Sequence, residues 1–578
     1  MSTPGPAAGS GSRAGCPAVV AVTVATLLVV LPALRPGYLL TYDMVFVPRL
    51  PFTADLLGLG TRVPRAVPSD LLVALASRLV SGDIVQKLIV VAVLVAAGIG
   101  AARLAPVGPI GRAAAGIAYL WNPYVYERLV IGHWALLLGY AALPWVAAAG
   151  AAVRRGDRDG WPRLLIALGA GSLGGASAWL LMALVAPLVV GWPAGSGWRR
   201  VLVRLGGVGA ALLVLAVPWA VPSLLRPAGV ALDPDGDLLF AARADTALGT
   251  LGSLITGGGI WNADVSPPGR MSLIYAAAAA AMVVVSVTGL WLLRKRWPVL
   301  PPLLAAAVIG LVLAVASTTP PLRAIAHALP GGGLLRDAHK FVAIWVLLAS
   351  VGFGAVADLA TRRPAGRAAA VLGALLAVTP IAVLPAMAWG AAGRLQPVQY
   401  PAGWSQAVVA IEADGRSGAV LVLPWQPYRR YSWNGDRVML DPAPRWFGRQ
   451  VISSDALPVR VGESVRTVAG DDPLAARFDA PVRAPETFLA ELRRAGVAYV
   501  VVDGPLGEPG LLRGLRKVGG ETVVVYAVDG SSSRAARMAT DGLTAPRAPV
   551  IAADIAWAWI LAVSLCLMGY RRIRRLIR

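Results

Sequence analysis

The sequence predicts a polytopic α-helical membrane protein of about twelve spans with a small extracytoplasmic α/β domain. First, the 578-residue chain is 57% hydrophobic with mean hydropathy +0.66, and only 15% of its residues are charged, against about 25% in soluble domains. Second, apolar runs of about 20 residues recur, and such runs must be helical in lipid. Third, residues 390–549 are polar and contain short β-rich runs.

The net charge of +22 has a membrane explanation. Basic residues concentrate in short loops between apolar runs and in the tail Arg571–Arg578, as the positive-inside rule expects. We therefore predict a multi-pass plasma-membrane protein with both termini cytoplasmic, and no nucleic-acid partner. The two cysteines, Cys16 and Cys566, lie at opposite ends of the chain and form no disulfide framework.

The predicted organisation follows the chain in order. The predicted segments are a disordered cytoplasmic tail at 1–17, a transmembrane module at 18–389 with external loop 35–83, the α/β domain at 390–549, a last span at 550–570 and a basic cytoplasmic tail at 571–578. Asn122-Pro123 is predicted to break the third span. The Gly-rich run 171–177 is predicted to turn the chain between two short spans.

The sequence of the polar region, residues 390–549, predicts alternating strands and helices. The β-rich runs are 419–423, 497–502 and 522–526, and residues 486–496 have a helical pattern ahead of the second run. This alternation favours a small α/β domain.

Asp43 is the first carboxylate after the first span. It lies between Tyr42 and the apolar run that begins at Met44, where burial would raise its pKa and make it useful as a base. Capping or pairing is the structural alternative. Asp70, which follows Pro-Ser in the same external loop, is predicted instead to cap a helix.

Two further clusters bring cations to the outer ends of spans. In the first, Arg128 offers a guanidinium fork that suits a phosphate, with Glu127 and His133 as neighbouring substrate contacts; alternatively Glu127 and Arg128 pair with each other and His133 is structural. The second cluster contains Arg336, Asp337, His339 and Lys340. It suits a lipid phosphate, or else anchors the chain at the membrane interface.

Two weaker patterns complete the candidate sites. Asp233, Asp235 and Asp237 offer hard oxygen ligands to a divalent cation, although the intervening Pro and Gly fit a plain turn equally well. Beyond that run no cofactor or metal site is predicted. The aromatic residues of the polar region, including Trp425 and Trp433, would stack on a sugar ring or pack in a core.

Several segments carry a family resemblance. The stretch from Asn122 to Trp145 and the stretch Arg336–Phe341 resemble the membrane part of the mycobacterial arabinofuranosyltransferase D family, within the GT-C superfamily of glycosyltransferases. Val420–Trp425 and Leu492–Val500 resemble both that family and YfhO-like membrane proteins. The chain lacks the very large carbohydrate-binding region of the arabinofuranosyltransferase family, so the sugar and its acceptor stay open.

The resemblance implies a function. The donor would be a polyprenyl-phosphate sugar, possibly of arabinofuranose, and the acceptor a glycan or glycolipid at the outer face of the lipid bilayer. Asp43 would act as general base with inversion at the anomeric carbon, while Arg128, Arg336, His339 and Lys340 would hold the donor phosphate. A transporter or flippase for lipid-linked glycans and a non-catalytic envelope-assembly protein are the alternatives.

Overall fold

The computed structural model describes residues 16–576 except 194, 196, 227–238, 318, 322–323, 325–331, 362–366, 462–463 and 541. Residues 1–15 of the predicted N-terminal tail and all three aspartates Asp233, Asp235 and Asp237 lie outside the described residues.

Helices dominate the first 390 residues. Those of at least seven residues are α1 (Cys16–Val30), α2 (Ser69–Ala76), α3 (Gly82–Leu104), α4 (Pro109–Leu120), α5 (Pro123–Val130), α6 (Trp134–Arg155), α7 (Gly160–Ser172), α8 (Gly175–Gly191), α9 (Trp198–Leu224), α10 (Gly249–Ile255), α11 (Leu273–Leu293), α12 (Leu300–Ala316), α13 (Val342–Thr361) and α14 (Arg367–Val383). The later ones are α15 (Gly403–Asp414), α16 (Pro485–Arg494), α17 (Ser533–Thr540) and α18 (Arg547–Leu576).

The chain is a multi-pass membrane protein. Among the described residues, six helices are long and apolar enough to span a membrane, or seven if the bent pair Arg367–Val383 and Pro385–Ala392 is one span. Two apolar helices, α8 and α12, are shorter. The predicted count of about twelve is therefore not reproduced, partly because apolar runs such as 164–192 divide into helices too short to count as spans.

The predicted break at Asn122-Pro123 is confirmed and creates the short helix α5. Asn122 has an extended backbone, and its side chain accepts a hydrogen bond from Val125 N, so it caps α5 while Pro123 occupies the first turn. All eight residues of α5 are buried, including two charged ones. A fully buried charged helix must satisfy its ions internally, and α5 supplies the centre of the site described below.

The C-terminal sheet region, residues 397–540, contains a five-stranded mixed sheet. Its strands are β3 (Ala419–Leu423), β6 (Val451–Ile452), β9 (Val497–Val502), β10 (Arg516–Gly519) and β11 (Val524–Ala527), in the order β10-β11-β9-β3-β6. The bounds of β3 and β9 are those expected from the sequence. Both central strands are buried throughout, as continuous apolar runs in parallel strands require.

Two hairpins and one strand pair surround that sheet. They are β4 (Tyr428–Arg430) with β5 (Val438–Leu440), β7 (Leu457–Val461) with β8 (Ser464–Val468), and β1 (Tyr38–Leu39) with β2 (Pro397–Val398). The pairing of β1 with β2 joins the external loop to the start of the sheet region. Asp70 also joins these parts: it caps no helix end but pairs with Arg445 at 2.9 Å. The predicted capping role is wrong because Pro68 occupies the cap position of α2.

Candidate active site

Asp43 sits in a tight turn of the external loop. The backbones of Thr41 and Met44 bond to each other across this turn, and Tyr42 adopts a left-handed φ of 40°, which bulky residues seldom do. The backbone N–H of Asp43 donates to Ile131 O at 3.1 Å. The turn is thereby held against the end of α5.

Gly132 makes this close approach feasible. It has a φ of +85°, and a Cβ there would lie 2.2 Å from Met44 N and 2.8 Å from the carbonyl carbon of Asp43. Only glycine combines that backbone conformation with that lack of bulk. The Gly132-His133 step therefore places His133 directly beside Asp43.

Both carboxylate oxygens of Asp43 accept a hydrogen bond. The Tyr428 hydroxyl donates to Oδ1 at 2.5 Å, and Nε2 of His133 lies 3.2 Å from Oδ2. The Asp43 side chain is 38% exposed, so lone pairs remain open to a third partner. The network thus holds the carboxylate without closing it off.

The pKa of Asp43 is lowered, contrary to the expectation from its apolar neighbours. Burial raises the pKa, but hydrogen bonds from His133 and Tyr428 and the charge of Arg65 together outweigh burial. The expectation was wrong because these partners come from parts of the chain far from Asp43. Asp43 is consequently an ionised carboxylate at neutral pH.

Arg128 sets the tautomer of His133. Its Nη1 lies 2.7 Å from Nδ1 of His133, and a guanidinium only donates hydrogen bonds. Nδ1 must therefore accept, so the ring proton is on Nε2 and points at Asp43. The contact between His133 and Asp43 is a hydrogen bond from a neutral imidazole in this geometry.

Arg128 is fully buried and occupied by protein groups. Its two terminal nitrogens bind Asp337 in a fork at 2.7 and 3.1 Å, and they also donate to His133 and to Nδ1 of His339. Burial opposes ionisation of Asp337, but the Arg128 charge lowers its pKa. This saturation favours a positioning role for Arg128 over the predicted phosphate contact.

The other predicted phosphate ligands are also engaged inside the protein. His339 is fully buried and accepts from Arg128, so its Nε2 donates to Gly258 O at 3.0 Å. Lys340 Nζ donates to Leu334 O and Arg336 O at 2.6 and 3.1 Å. The Arg336 guanidinium lies 4.5 Å from the centre of the Phe240 ring. These contacts favour structural roles over phosphate binding.

Glu127 is a buried neutral acid. Its side chain is fully buried, and burial together with the nearby Asp245 charge raises its pKa well above the usual range. Asp245 itself is ionised and forms a buried fork with Arg270 at 2.8 and 2.9 Å. Glu127 does not pair with Arg128, as the structural alternative proposed, and lies 3.6 Å from Nε2 of His339 instead.

A polar cavity of about 410 Å³ includes Tyr42, the neighbour of Asp43 in the chain, although Asp43 itself does not line it. Its lining residues are Thr41, Tyr42, Asp264, Arg394, Arg430, Asp436, Arg437 and Val438. Tyr42, a predicted substrate contact, is one of them, and its hydroxyl donates to Asp264 at 3.3 Å. A narrower apolar groove of about 80 Å³, which includes Trp345 and Phe353, contains none of the residues that bond to Asp43.

The fold of this chain resembles that of solved structures, whereas two other comparisons find no match. Neither protein-family models nor curated protein sequences match the chain. Solved structures do: arabinofuranosyltransferase AftD from Mycobacteria superposes with TM-score 0.55 at 17% identity, over 89% of this chain and 40% of that chain. The chain has an AftD-like fold.

A point mutant of AftD matches equally well, with TM-score 0.55, 17% identity and coverage of 90% of this chain and 42% of that one. This chain therefore spans about two fifths of the length of the AftD structures it matches. The resemblance inferred from Asn122–Trp145 and Arg336–Phe341 is confirmed at the level of the fold.

The two tryptophans predicted to contact a sugar, Trp425 and Trp433, do not bond to Asp43 or to its partners. Trp425 donates to Asp479 at 2.9 Å and packs on Phe478. Trp433 stacks on Tyr431 with ring centres 4.9 Å apart. Both tryptophans remain predicted sugar contacts.

In the described part of the chain, no group of three His, Cys, Asp or Glu side chains is arranged to hold a metal.

Three residues of the site were missed as such from the sequence. Tyr428 was one of several aromatics and gave no sign of contacting Asp43. Arg65 is 59% exposed, lies close enough to affect the pKa of Asp43 and pairs with Asp471. Asp245 forms a buried pair with Arg270, and no local pattern marks either residue. All three depend on contacts between segments distant in sequence.

Proposed function

We propose that this chain is a membrane glycosyltransferase that moves a sugar from a polyprenyl-phosphate donor to a hydroxyl of a cell-envelope glycan or glycolipid. We further propose that the sugar is arabinofuranose. The proposal rests chiefly on Asp43, an ionised carboxylate that is held by two neutral donors and remains partly exposed. Its neighbour Tyr42 lines a polar cavity. The AftD-like fold supports the reaction class, and the low sequence identity leaves the substrates to experiment.

Asp43 accepts the proton of the acceptor hydroxyl as that oxygen attacks the anomeric carbon. The new bond forms between the acceptor oxygen and the anomeric carbon, while the bond from that carbon to the phosphate oxygen breaks. The electron pair leaves with the polyprenyl phosphate. Direct displacement with one base on the acceptor side inverts the anomeric carbon.

The lowered pKa of Asp43 affects the timing of this proton transfer. A weak base stays ionised, and it accepts the proton only when the attacking hydroxyl has become acidic in the transition state. We therefore propose that proton transfer accompanies bond formation. Tyr428 and His133 keep the carboxylate oriented while this happens, which is a positioning role for both residues.

The distribution of charge in the spans favours chemistry at the membrane surface over transport. Within the six described spans, charged side chains lie in the first two turns or the last turn, as with Lys87 in α3 and Asp358 in α13. A transporter would place ionisable groups at mid-depth. In this proposal the sheet region, the external loop and the cavity face the outside of the plasma membrane.

The direct test supplies the purified chain, in lipid nanodiscs, with synthetic prenyl-phosphoryl arabinofuranose and, separately, prenyl-phosphoryl mannose. We expect an acceptor-dependent release of prenyl phosphate from one donor, with an inverted anomeric configuration in the product. Retention of configuration would contradict direct displacement. The absence of transfer from either donor to mycobacterial glycan acceptors would contradict the proposed reaction class.

A further inference from the structure

The three arginines of the polar cavity lack carboxylate partners among the described residues. Arg430 donates to Asp436 O at 2.9 Å, Arg394 donates to Asp264 O at 3.0 Å, and Arg437 donates to Arg394 O at 3.0 Å. Arg437 also donates to Asn434 O and to Asn434 Oδ1, at 3.0 and 2.8 Å. All of these acceptors are amide oxygens, which carry no net charge. The guanidinium charges are therefore not neutralised by the bonds that position them.

These arginines come from two separate parts of the chain that meet at the cavity. Arg394 follows the Pro385–Ala392 part of the bent span, whereas Arg430 and Arg437 lie on the β4–β5 hairpin. Arg437 is partly buried, and burial together with the charge of Arg394 lowers its pKa. Like charges brought this close repel each other unless an anion lies between them.

The cavity also contains carboxylates. Asp264 accepts the Tyr42 hydroxyl, and Asp436 is exposed. With three arginines and two aspartates, the lining still has a surplus of positive charge. Several guanidinium forks approaching from two elements suit a tetrahedral group with several oxygens better than a planar carboxylate with two.

Strand geometry connects this cavity to Asp43. Tyr428 and Arg430 are alternate residues of β4, so their side chains project from the same face, about 7 Å apart along the strand. The Tyr428 hydroxyl bonds to Asp43, and Arg430 lines the cavity. A group bound to Arg430 would therefore lie on the same face of β4 as the contact between Tyr428 and Asp43.

The geometry points to the cavity of Arg394, Arg430 and Arg437 as a phosphate-ester site, with the phosphate of a lipid-linked donor as its ligand. This assignment of the ligand's source rests on the proposed function. It transfers the phosphate-binding role from Arg128, His339 and Lys340, which are engaged internally, to arginines at the point where the chain leaves the membrane. A lipid phosphate lies at that level of the bilayer.

The test measures binding of farnesyl phosphate to the full chain in detergent micelles by calorimetry, with inorganic phosphate as a competitor and farnesol as the phosphate-free control. We expect Arg430→Gln to weaken farnesyl phosphate binding about tenfold, because a hydrogen bond to a charged group is lost, and Arg437→Gln to do the same. Farnesol binding should not change. Arg466→Gln, on exposed strand β8, is the matched control.

The outcomes separate the two proposals. Weaker binding of both farnesyl phosphate and inorganic phosphate in Arg430→Gln supports the site. Loss for inorganic phosphate alone would overturn the lipid source. Unchanged binding of both farnesyl phosphate and inorganic phosphate in both variants would overturn the site itself. Asp43→Asn removes a negative charge and should bind farnesyl phosphate no more weakly than wild type, so a failure of the catalytic proposal leaves this result intact, and the reverse also holds.

Discussion

Nη1 of Arg128 lies 2.7 Å from Nδ1 of His133, and the opposite nitrogen of that imidazole lies 3.2 Å from Asp43. Because the guanidinium can only donate, it holds His133 as a neutral donor to the carboxylate. A buried arginine thereby controls a partly exposed acid without touching it. Asp337 completes the arrangement by fixing the guanidinium from the other side.

Replacing Tyr428 should shift the pH dependence of transfer. The Tyr428 hydrogen bond stabilises the ionised form of Asp43, so Tyr428→Phe should raise the pKa of Asp43 by about one unit. The acid limb of kcat/KM should then move to higher pH by that amount. Tyr431→Phe is the control, since its hydroxyl bonds to Asp503 instead. An acid limb that stays in place in Tyr428→Phe would count against Asp43 as the titrating group.

Replacing Arg128 distinguishes positioning from phosphate binding. A lysine keeps the charge but cannot reproduce the fork that reaches Asp337, His133 and His339 together. We expect Arg128→Lys to lower kcat about tenfold or more with little change in the KM for the donor. If KM rises and kcat is retained, Arg128 binds the donor directly and the positioning role is wrong.

Glu127→Gln should preserve the fold because Glu127 is already a neutral acid. A raised pKa in the folded state means that the folded protein keeps a proton that the unfolded chain releases above its own pKa near 4.3. Stability therefore falls as pH rises above that value, and glutamine removes this loss. At pH 7 the variant should unfold at a temperature no lower than the wild type.

The matched contrast for Glu127→Gln is Asp245→Asn. This variant leaves the buried Arg270 without its carboxylate and should destabilise the protein by about 3 kcal/mol. Thermal unfolding of both variants across pH 5–8, a range that lies above the pKa of an ordinary glutamate, checks the pair. A marked loss of stability in Glu127→Gln would mean that Glu127 is ionised in the folded protein.

Gly132→Ala should displace the Asp43 turn. The added Cβ would collide with the backbone at Met44, at 2.2 Å. Gly156→Ala is the matched control, because Gly156 has a similar φ of +81° but nothing within 4 Å of a Cβ. Both variants carry the strain of a left-handed alanine, about 1 kcal/mol. Only Gly132→Ala should lose transfer activity, and equal activity in the two variants would show that the turn tolerates displacement.

Local patterns predicted the fold well where a segment determines its own structure. Asn122-Pro123 breaks and caps a helix through contacts within four residues, and the apolar runs at β3 and β9 form buried strands. The candidate active site could be predicted less well from the sequence. Arg128 meets Asp337 across 209 residues, and Tyr428 meets Asp43 across 385. Whether a cation is free or engaged depends on such distant contacts, so sequence alone did not separate Arg128 from the cavity arginines.

The most direct test of the central claim compares Asp43→Asn with wild type in transfer from a prenyl-phosphate sugar. Asparagine keeps the size of the side chain but cannot accept the hydroxyl proton as a carboxylate does. We predict a rate reduced about 10² to 10⁴-fold, while the variant still folds and binds farnesyl phosphate no more weakly than wild type. The control Asp157→Asn, at a partly exposed carboxylate paired with Arg155, should transfer normally. Wild-type transfer by Asp43→Asn would contradict the account.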